Sequence, residues 1–223
     1  MIINKINLVS FSGNSTGFAN VPYLDKKYTT QENRGKTVAI LGSSKQTDAI
    51  LNSMDLCSKT TKDLIKSGHN IVTGCGSNGI MGAAYDSAKT YSKKDTEKGQ
   101  PIQNLAIVME PAWGDEDLEN CIPIGKAKSE EERINKFTKT ADTFVIFPGS
   151  ATTIQEAVSL IQKNEYKSKD QPAKKIILVG KEFFSGLEKQ YNKLYESKLL
   201  RSDPENLFSI VDTEEEILDA ISK

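Results

Sequence analysis

Thr143-Phe-Val-Ile-Phe-Pro-Gly-Ser-Ala-Thr-Thr-Ile-Gln-Glu156 decides how this chain is read. A short apolar run over 143–147 breaks at Pro148-Gly149 and gives way to a helical pattern from Thr152. That is the outline of a buried strand turning sharply into a helix. Such a junction aims backbone N–H groups and the positive end of the helix dipole at whatever lies above the sheet. Ser150, Thr152 and Thr153 add hydroxyl donors, so a phosphate is the natural guest. Glu156 follows one turn in, within reach of the rest of a phosphorylated molecule.

The same alternation repeats on either side. Strand-like runs cover 37–41, 70–73, 104–109, 174–179 and 207–211, and Cys121-Ile122 suggests a short edge element. Between them, apolar residues recur at helical spacing over 50–65, 80–88, 129–140, 183–195 and 214–222. The strand runs are apolar without strict alternation, which indicates a parallel sheet covered on both faces. The predicted fold is a Rossmann-like three-layer α/β/α sandwich with a mostly parallel sheet. Ligands in such sheets bind beyond the carboxyl ends of the strands. Residues 36–223 read as one nucleotide-binding domain. Residues 1–35 read as an appended hairpin or arm with a strand-like run from Ile6 to Phe11, and 93–103 as a charged loop.

Composition narrows the function classes. A net charge of −1 over 223 residues gives no bulk attraction to nucleic acid or to a membrane surface. Cys57, Cys75 and Cys121 form no CxxC pair and His69 is the single histidine, so a zinc site is not expected. No secretory leader pattern is visible, and no run approaches the roughly 20 apolar residues that span a bilayer. The expectation is a reduced, cytoplasmic protein without a metal.

If the sheet is parallel, three small-residue loops share one edge: Gly42-Ser43-Ser44, Gly74-Cys75-Gly76-Ser77-Asn78-Gly79 and Pro148-Gly149-Ser150. Small residues let a ligand approach the backbone closely, and three such loops favour a nucleotide-like ligand. Gly74-x-Gly76-x-x-Gly79 also fits a dinucleotide fingerprint, with Glu110 at the end of the next strand. That carboxylate comes about 30 residues after Gly79, against roughly 20 in a dinucleotide fold, and the fingerprint sits in the second βα unit. A nicotinamide cofactor is therefore the minority reading.

Two motifs together resemble those of the LOG ("lonely guy") family. Gly74-Cys-Gly-Ser-Asn-Gly-Ile-Met81-Gly82 is similar to its GGGxxGxMG signature, and Pro148-Gly-Ser-Ala-Thr-Thr-Ile-Gln-Glu156 to its PGGxGTxxE signature. Glu132-Arg133 lies where the family carries an arginine-bearing helix, and Gly42-Ser43-Ser44 resembles its first-strand loop. Family members often bear the label lysine decarboxylase. The resemblance implies instead a phosphoribohydrolase, usually dimeric, that splits a nucleoside 5′-monophosphate such as AMP or a cytokinin riboside monophosphate into free base and ribose 5-phosphate. It implies Arg133 and Glu156 as the catalytic pair. The 5′-phosphate would sit at Pro148, Gly149, Ser150, Thr152 and Thr153. The nucleotide pocket would be lined by Gly42, Ser43, Ser44, Gly74, Gly76, Asn78, Gly79 and Met81. It implies no cofactor. Molybdenum-cofactor carrier proteins share the fold and bind a phosphorylated ligand without hydrolysing it; they supply the alternative.

Ser150 and Thr152 stand where the motif has glycine, and Cys75 replaces the middle glycine of the first motif. A β-branched residue resists positive φ, so a turn requiring it at Thr152 would have to be reshaped. Plainer readings compete as well. Thr153-x-x-Glu156 spells a capping box, in which the glutamate would return to the cap residue's own N–H. Cys75 reads as a turn filler. Asp115, Glu116, Asp117 and Glu119 read as a solvated loop, with Trp113 packing beside them.

Overall fold

The computed structural model describes residues 35–94, 102–112, 116, 118 and 120–223. The expected N-terminal arm, most of the charged loop and Trp113 lie outside them. Among the described residues the chain runs β1 (Thr37–Leu41), α1 (Leu51–Lys66), β2 (Asn70–Thr73), α2 (Gly79–Tyr91), β3 (Asn104–Met109) and β4 (Ile122–Ala127). It continues through α3 (Glu130–Thr140), β5 (Thr143–Ile146), α4 (Ala151–Glu165), β6 (Lys175–Val179), α5 (Lys181–Glu196), β7 (Ser209–Val211) and α6 (Glu214–Ser222).

All seven strands pair in parallel, in the order β4-β3-β2-β1-β5-β6-β7. The chain winds outward from β1 through β2 and β3 to β4, then returns to the other side of β1 for β5 to β7. The strand order therefore reverses between β1 and β5. That is where an open α/β sheet leaves a crevice at its carboxyl edge.

Alternate residues of the central strands feed two separate cores. Ala39, Leu41, Phe144, Ile146, Ile176 and Leu178 face α3, α4 and α5. Val38, Ile40, Val145, Phe147, Ile177 and Val179 face α1, α2 and α6. Both faces of the sheet are thus covered, and β1 is buried along its whole length. This is why the strand runs read as continuously apolar.

The edge element expected at Cys121-Ile122 proves to be a six-residue strand on β3. Pro123, Gly125 and Lys126 interrupt its apolar run. An edge position tolerates such residues because one side of the strand needs no ladder partner. Its pairing slips at Ala106/Ile107.

Phe144 lies in the middle of β5 with no exposed surface. Phe144→Ala should lower the unfolding free energy by about 3–5 kcal/mol, read from urea denaturation. A loss under about 1 kcal/mol would contradict this packing.

Candidate functional site

The three expected loops meet at the carboxyl edge, and Ser43 joins them. Its backbone N–H donates to the Pro148 carbonyl at 3.2 Å, and its own carbonyl accepts from Ile80 N–H at 2.8 Å. Phe147 N–H reaches Leu41 O at 2.9 Å, which carries the β1–β5 pairing into the turn. The Ser43 hydroxyl closes a local turn with the Lys45 backbone instead of facing the crevice. Gly79 opens α2 with φ of 60°, and a methyl group there would run into the Ser43 carbonyl. A side chain on Gly149 would likewise overlap the Thr153 hydroxyl and the Ser43 amide. The loops interlock through atoms that tolerate no Cβ.

Above Gly149, α4 begins at Ala151 with Ser150 as its N-cap, extended at φ −76° and ψ −177°. Ser150 makes no side-chain cap bond, so its exposed hydroxyl is not committed to capping the helix. Thr152 is an ordinary helical residue, and positive φ falls instead on Cys75 (63°). The substitution at 152 therefore needs no reshaped turn. Thr153 is the third residue of the helix and buried, so the Thr153-x-x-Glu156 capping box does not form. Glu156 is left half-buried without that role.

On the same face of the sheet as α4, the neighbouring α3 carries Arg133. Its cap is Ser129, whose hydroxyl accepts from Glu132 N–H at 3.2 Å. Arg133 is buried. Its Nε donates to Ile107 O at 3.0 Å and its Nη2 to Gly74 O at 2.7 Å. Gly74 must be glycine here, since a Cβ would occupy the guanidinium's position. Two of the guanidinium's donors are thus turned onto backbone carbonyls.

Glu116 completes the cluster, and nothing in the local sequence beyond a run of acids marks it. Its side chain is 2% exposed, with Oε1 3.7 Å from Arg133 Nη2 and accepting from Met109 N–H at 2.8 Å. An isolated antiparallel bridge also ties Glu116 to Gly76. The solvated-loop reading therefore fails for this residue. The carboxyl of Glu156 is pushed up to about 7 by burial, with Arg133 pulling it down and Glu130 pushing it further up. A carboxyl group near 7 can act as acid or base at neutral pH.

The remaining expected residues divide. Gly42, Gly74, Gly76, Gly79 and Pro148 are buried floor, while Ser44 and Met81 are half-buried. Asn78 is the exposed N-cap of α2, without a side-chain cap bond. With Ser77 and Gly79 it borders a cavity of about 290 Å³ that also meets Asp55 and Asp86. A larger hollow, about 730 Å³, lies at the far edge of the sheet, where Lys174 is already tied to Thr138 O, Ala141 O and Asp142. Cys75 is fully buried beside Cys121, their sulfurs 2.7 Å apart, as a filler of its turn. Glu110 is exposed and pairs with Lys126 at 3.5 Å. The glycine fingerprint stands one strand away from the switch point, which is not where a dinucleotide reading would place it. Among the described residues, no group of three His, Cys, Asp or Glu could hold a metal, and no helix is long and apolar enough to cross a membrane.

The raised Glu156 carboxyl has a cost in stability. Between 4.5 and about 7 the folded chain keeps a proton that the unfolded chain has released, so stability falls as pH rises through that window. Relative to Glu156→Gln, the wild-type protein should lose about 2–3 kcal/mol between about pH 5 and pH 8 in urea titrations. A pH-independent difference between the two would contradict the buried carboxyl.

The sequence profile of the family described as "possible lysine decarboxylase" matches residues 81–221. No curated protein matches the chain. Among solved structures, a molybdenum cofactor binding protein from the phototrophic bacterium Rippkaea orientalis is 16% identical with a TM-score of 0.56, covering 85% of this chain and 96% of its own. The molybdenum cofactor carrier protein of Chlamydomonas reinhardtii is 16% identical with a TM-score of 0.53, covering 85% and 100%. A structural-genomics target is 14% identical with a TM-score of 0.57, covering 84% and 98%. At these identities the structures share the fold. The family match spans more than half of the chain, and with the two glycine motifs at the sheet edge it places the protein in the possible lysine decarboxylase, or LOG, family.

Proposed function

We propose that the protein is a nucleoside 5′-monophosphate phosphoribohydrolase. It would convert AMP, or a cytokinin riboside monophosphate, and water to free base and ribose 5-phosphate. The observation that carries the reading is Glu156. It is a half-buried carboxyl raised to about 7, one turn inside a helix whose N-terminus opens on the β1/β5 switch point. The family's descriptive name points to an amino-acid reaction, whereas this cradle and its carboxyl suit a phosphorylated nucleoside.

In this reading the 5′-phosphate rests over Gly149, on the first-turn amides of α4 and the hydroxyls of Ser150 and Thr152. Ribose C1′ then lies towards Glu156. As the bond from C1′ to the base nitrogen breaks, positive charge gathers on the ribose. The Glu156 carboxylate stabilises that charge and orients the attacking water. The water's oxygen bonds to C1′, and a proton ends on the departing base. Arg133 acts beside Glu156 as a positioning residue. It holds the Gly74 loop against β3 and keeps the carboxylate form accessible. The protein would work in the cytoplasm, in keeping with its cysteine usage, and as a homodimer, which rests on the family resemblance.

Incubation with AMP should release adenine, followed by chromatography. Glu156→Gln should lower turnover by about 10²–10⁴-fold and leave AMP affinity within severalfold. Adenine release that survives in Glu156→Gln would remove the assigned role. No release from any 5′-monophosphate, with an intact phosphorylated ligand co-purifying, would favour a carrier.

A further inference from the structure

We infer that Cys75 and Cys121 form a reversible modification site: an oxidant of the peroxide class joins them in a disulfide that fastens the glycine loop after β2 to the start of β4. Neither the bond nor its test involves the proposed hydrolysis.

Filling a turn does not account for a cysteine at position 75. Its φ is 63°, a left-handed backbone that glycine adopts freely and a residue with a Cβ adopts only at a cost. The side chain therefore contributes something that glycine lacks. What it meets is a second thiol: the two sulfurs are in contact at 2.7 Å, from positions 46 residues apart. Both cysteines have no exposed surface, and they share a small cluster with Tyr85, Ala106 and Val108. A disulfide holds its sulfurs at about 2 Å, so the bond forms by a small closing motion with the loop already in place.

Cys57 supplies the contrast. It sits in a different cluster, where its thiol donates to Ile80 O at 3.6 Å, and burial pushes it up to about 12. Such a thiol stays protonated and inert. The residues flanking Cys75 are already held, Gly74 O by Arg133 and Gly76 by its bridge to Glu116. A covalent tie between them fixes the loop from within. Two residues on, Ser77 and Asn78 are exposed, so the outer end of the same loop offers a small oxidant its way in.

Hydrogen peroxide balances the step. Its O–O bond breaks, each sulfur gives up one electron, and the two thiol protons leave on the peroxide oxygens as two waters. Thiol–disulfide exchange reverses it, which makes it the transient kind of disulfide that a reducing compartment allows.

The test counts thiols. Folded protein is treated with hydrogen peroxide, then unfolded in an alkylating reagent. The count is repeated on chain refolded in glutathione disulfide, where burial blocks nothing. In both, alkylated cysteines should fall from three to one, with a peptide map joining Cys75 to Cys121. Dithiothreitol should restore all three. Hydrogen exchange at the Gly76 and Ser77 amides should slow by at least about tenfold in the oxidised protein. Cys75→Gly, treated alike, should keep both of its cysteines and its exchange rates. Three alkylated cysteines in wild type after both treatments, or oxidation that stops at sulfinic acid or a mixed disulfide, overturns the site. If the chain does not refold, the peroxide count alone decides. A cross-linked protein whose loop exchanges as fast as the reduced one overturns the fastening.

Discussion

The backbone of Ser43 is the joint on which the carboxyl edge depends. Its amide holds the Pro148 carbonyl and its carbonyl holds the Ile80 amide, so the turns after β1, β2 and β5 form one rigid ledge. A parallel sheet brings these turns together, because every strand ends on the same side. The ledge then fixes where the α4 dipole points and which backbone amides a ligand can meet. Gly79 and Gly149 are the residues this close packing requires, one for its positive φ and one for the room it leaves. The chemistry assigned to the site lies on top of that scaffold.

Much of this was legible in the sequence for a physical reason. Strands buried on both faces must be apolar throughout, so the runs at β1, β3, β5 and β6 announce themselves. Turns that ligands or neighbouring loops approach must be small, so Gly42, Gly74 and Gly149 do as well. What escaped the sequence depends on tertiary context. The six residues of β4 were hidden by Pro123, Gly125 and Lys126, which only an edge strand accommodates. Glu116 looked like one acid in a polar stretch, because burial of a carboxylate beside an arginine leaves no local pattern. Thr153-x-x-Glu156 has the letters of a capping box, but the cap position falls three residues earlier, at Ser150. The same early start made Thr152 an ordinary helical residue.

The site also shows strain of a kind expected where function competes with stability. Glu156 is held where its charge is poorly solvated, Arg133 is buried, and Cys75 adopts a left-handed backbone with a side chain in place of glycine. The left-handed backbone at Cys75 costs about 1–2 kcal/mol. Glu156 and Arg133 belong to none of the hydrophobic cores, whereas Cys75 also packs in a small cluster with Tyr85, Ala106, Val108 and Cys121. Their clustering at one end of one sheet argues that they are kept for what the edge does. The fold alone, shared with molybdenum cofactor proteins at 16% identity, does not specify a reaction, and the proposed one rests on the placement of Glu156.

The most direct measurement is of the phosphate cradle itself. Amide ¹H–¹⁵N spectra would be recorded as ribose 5-phosphate, and separately ribose, is added to the protein. Ribose 5-phosphate should move the amides of Ala151, Thr152 and Thr153 saturably while ribose leaves them in place. Equal responses to the two sugars, or shifts confined to the opposite edge of the sheet near Lys174, would contradict it.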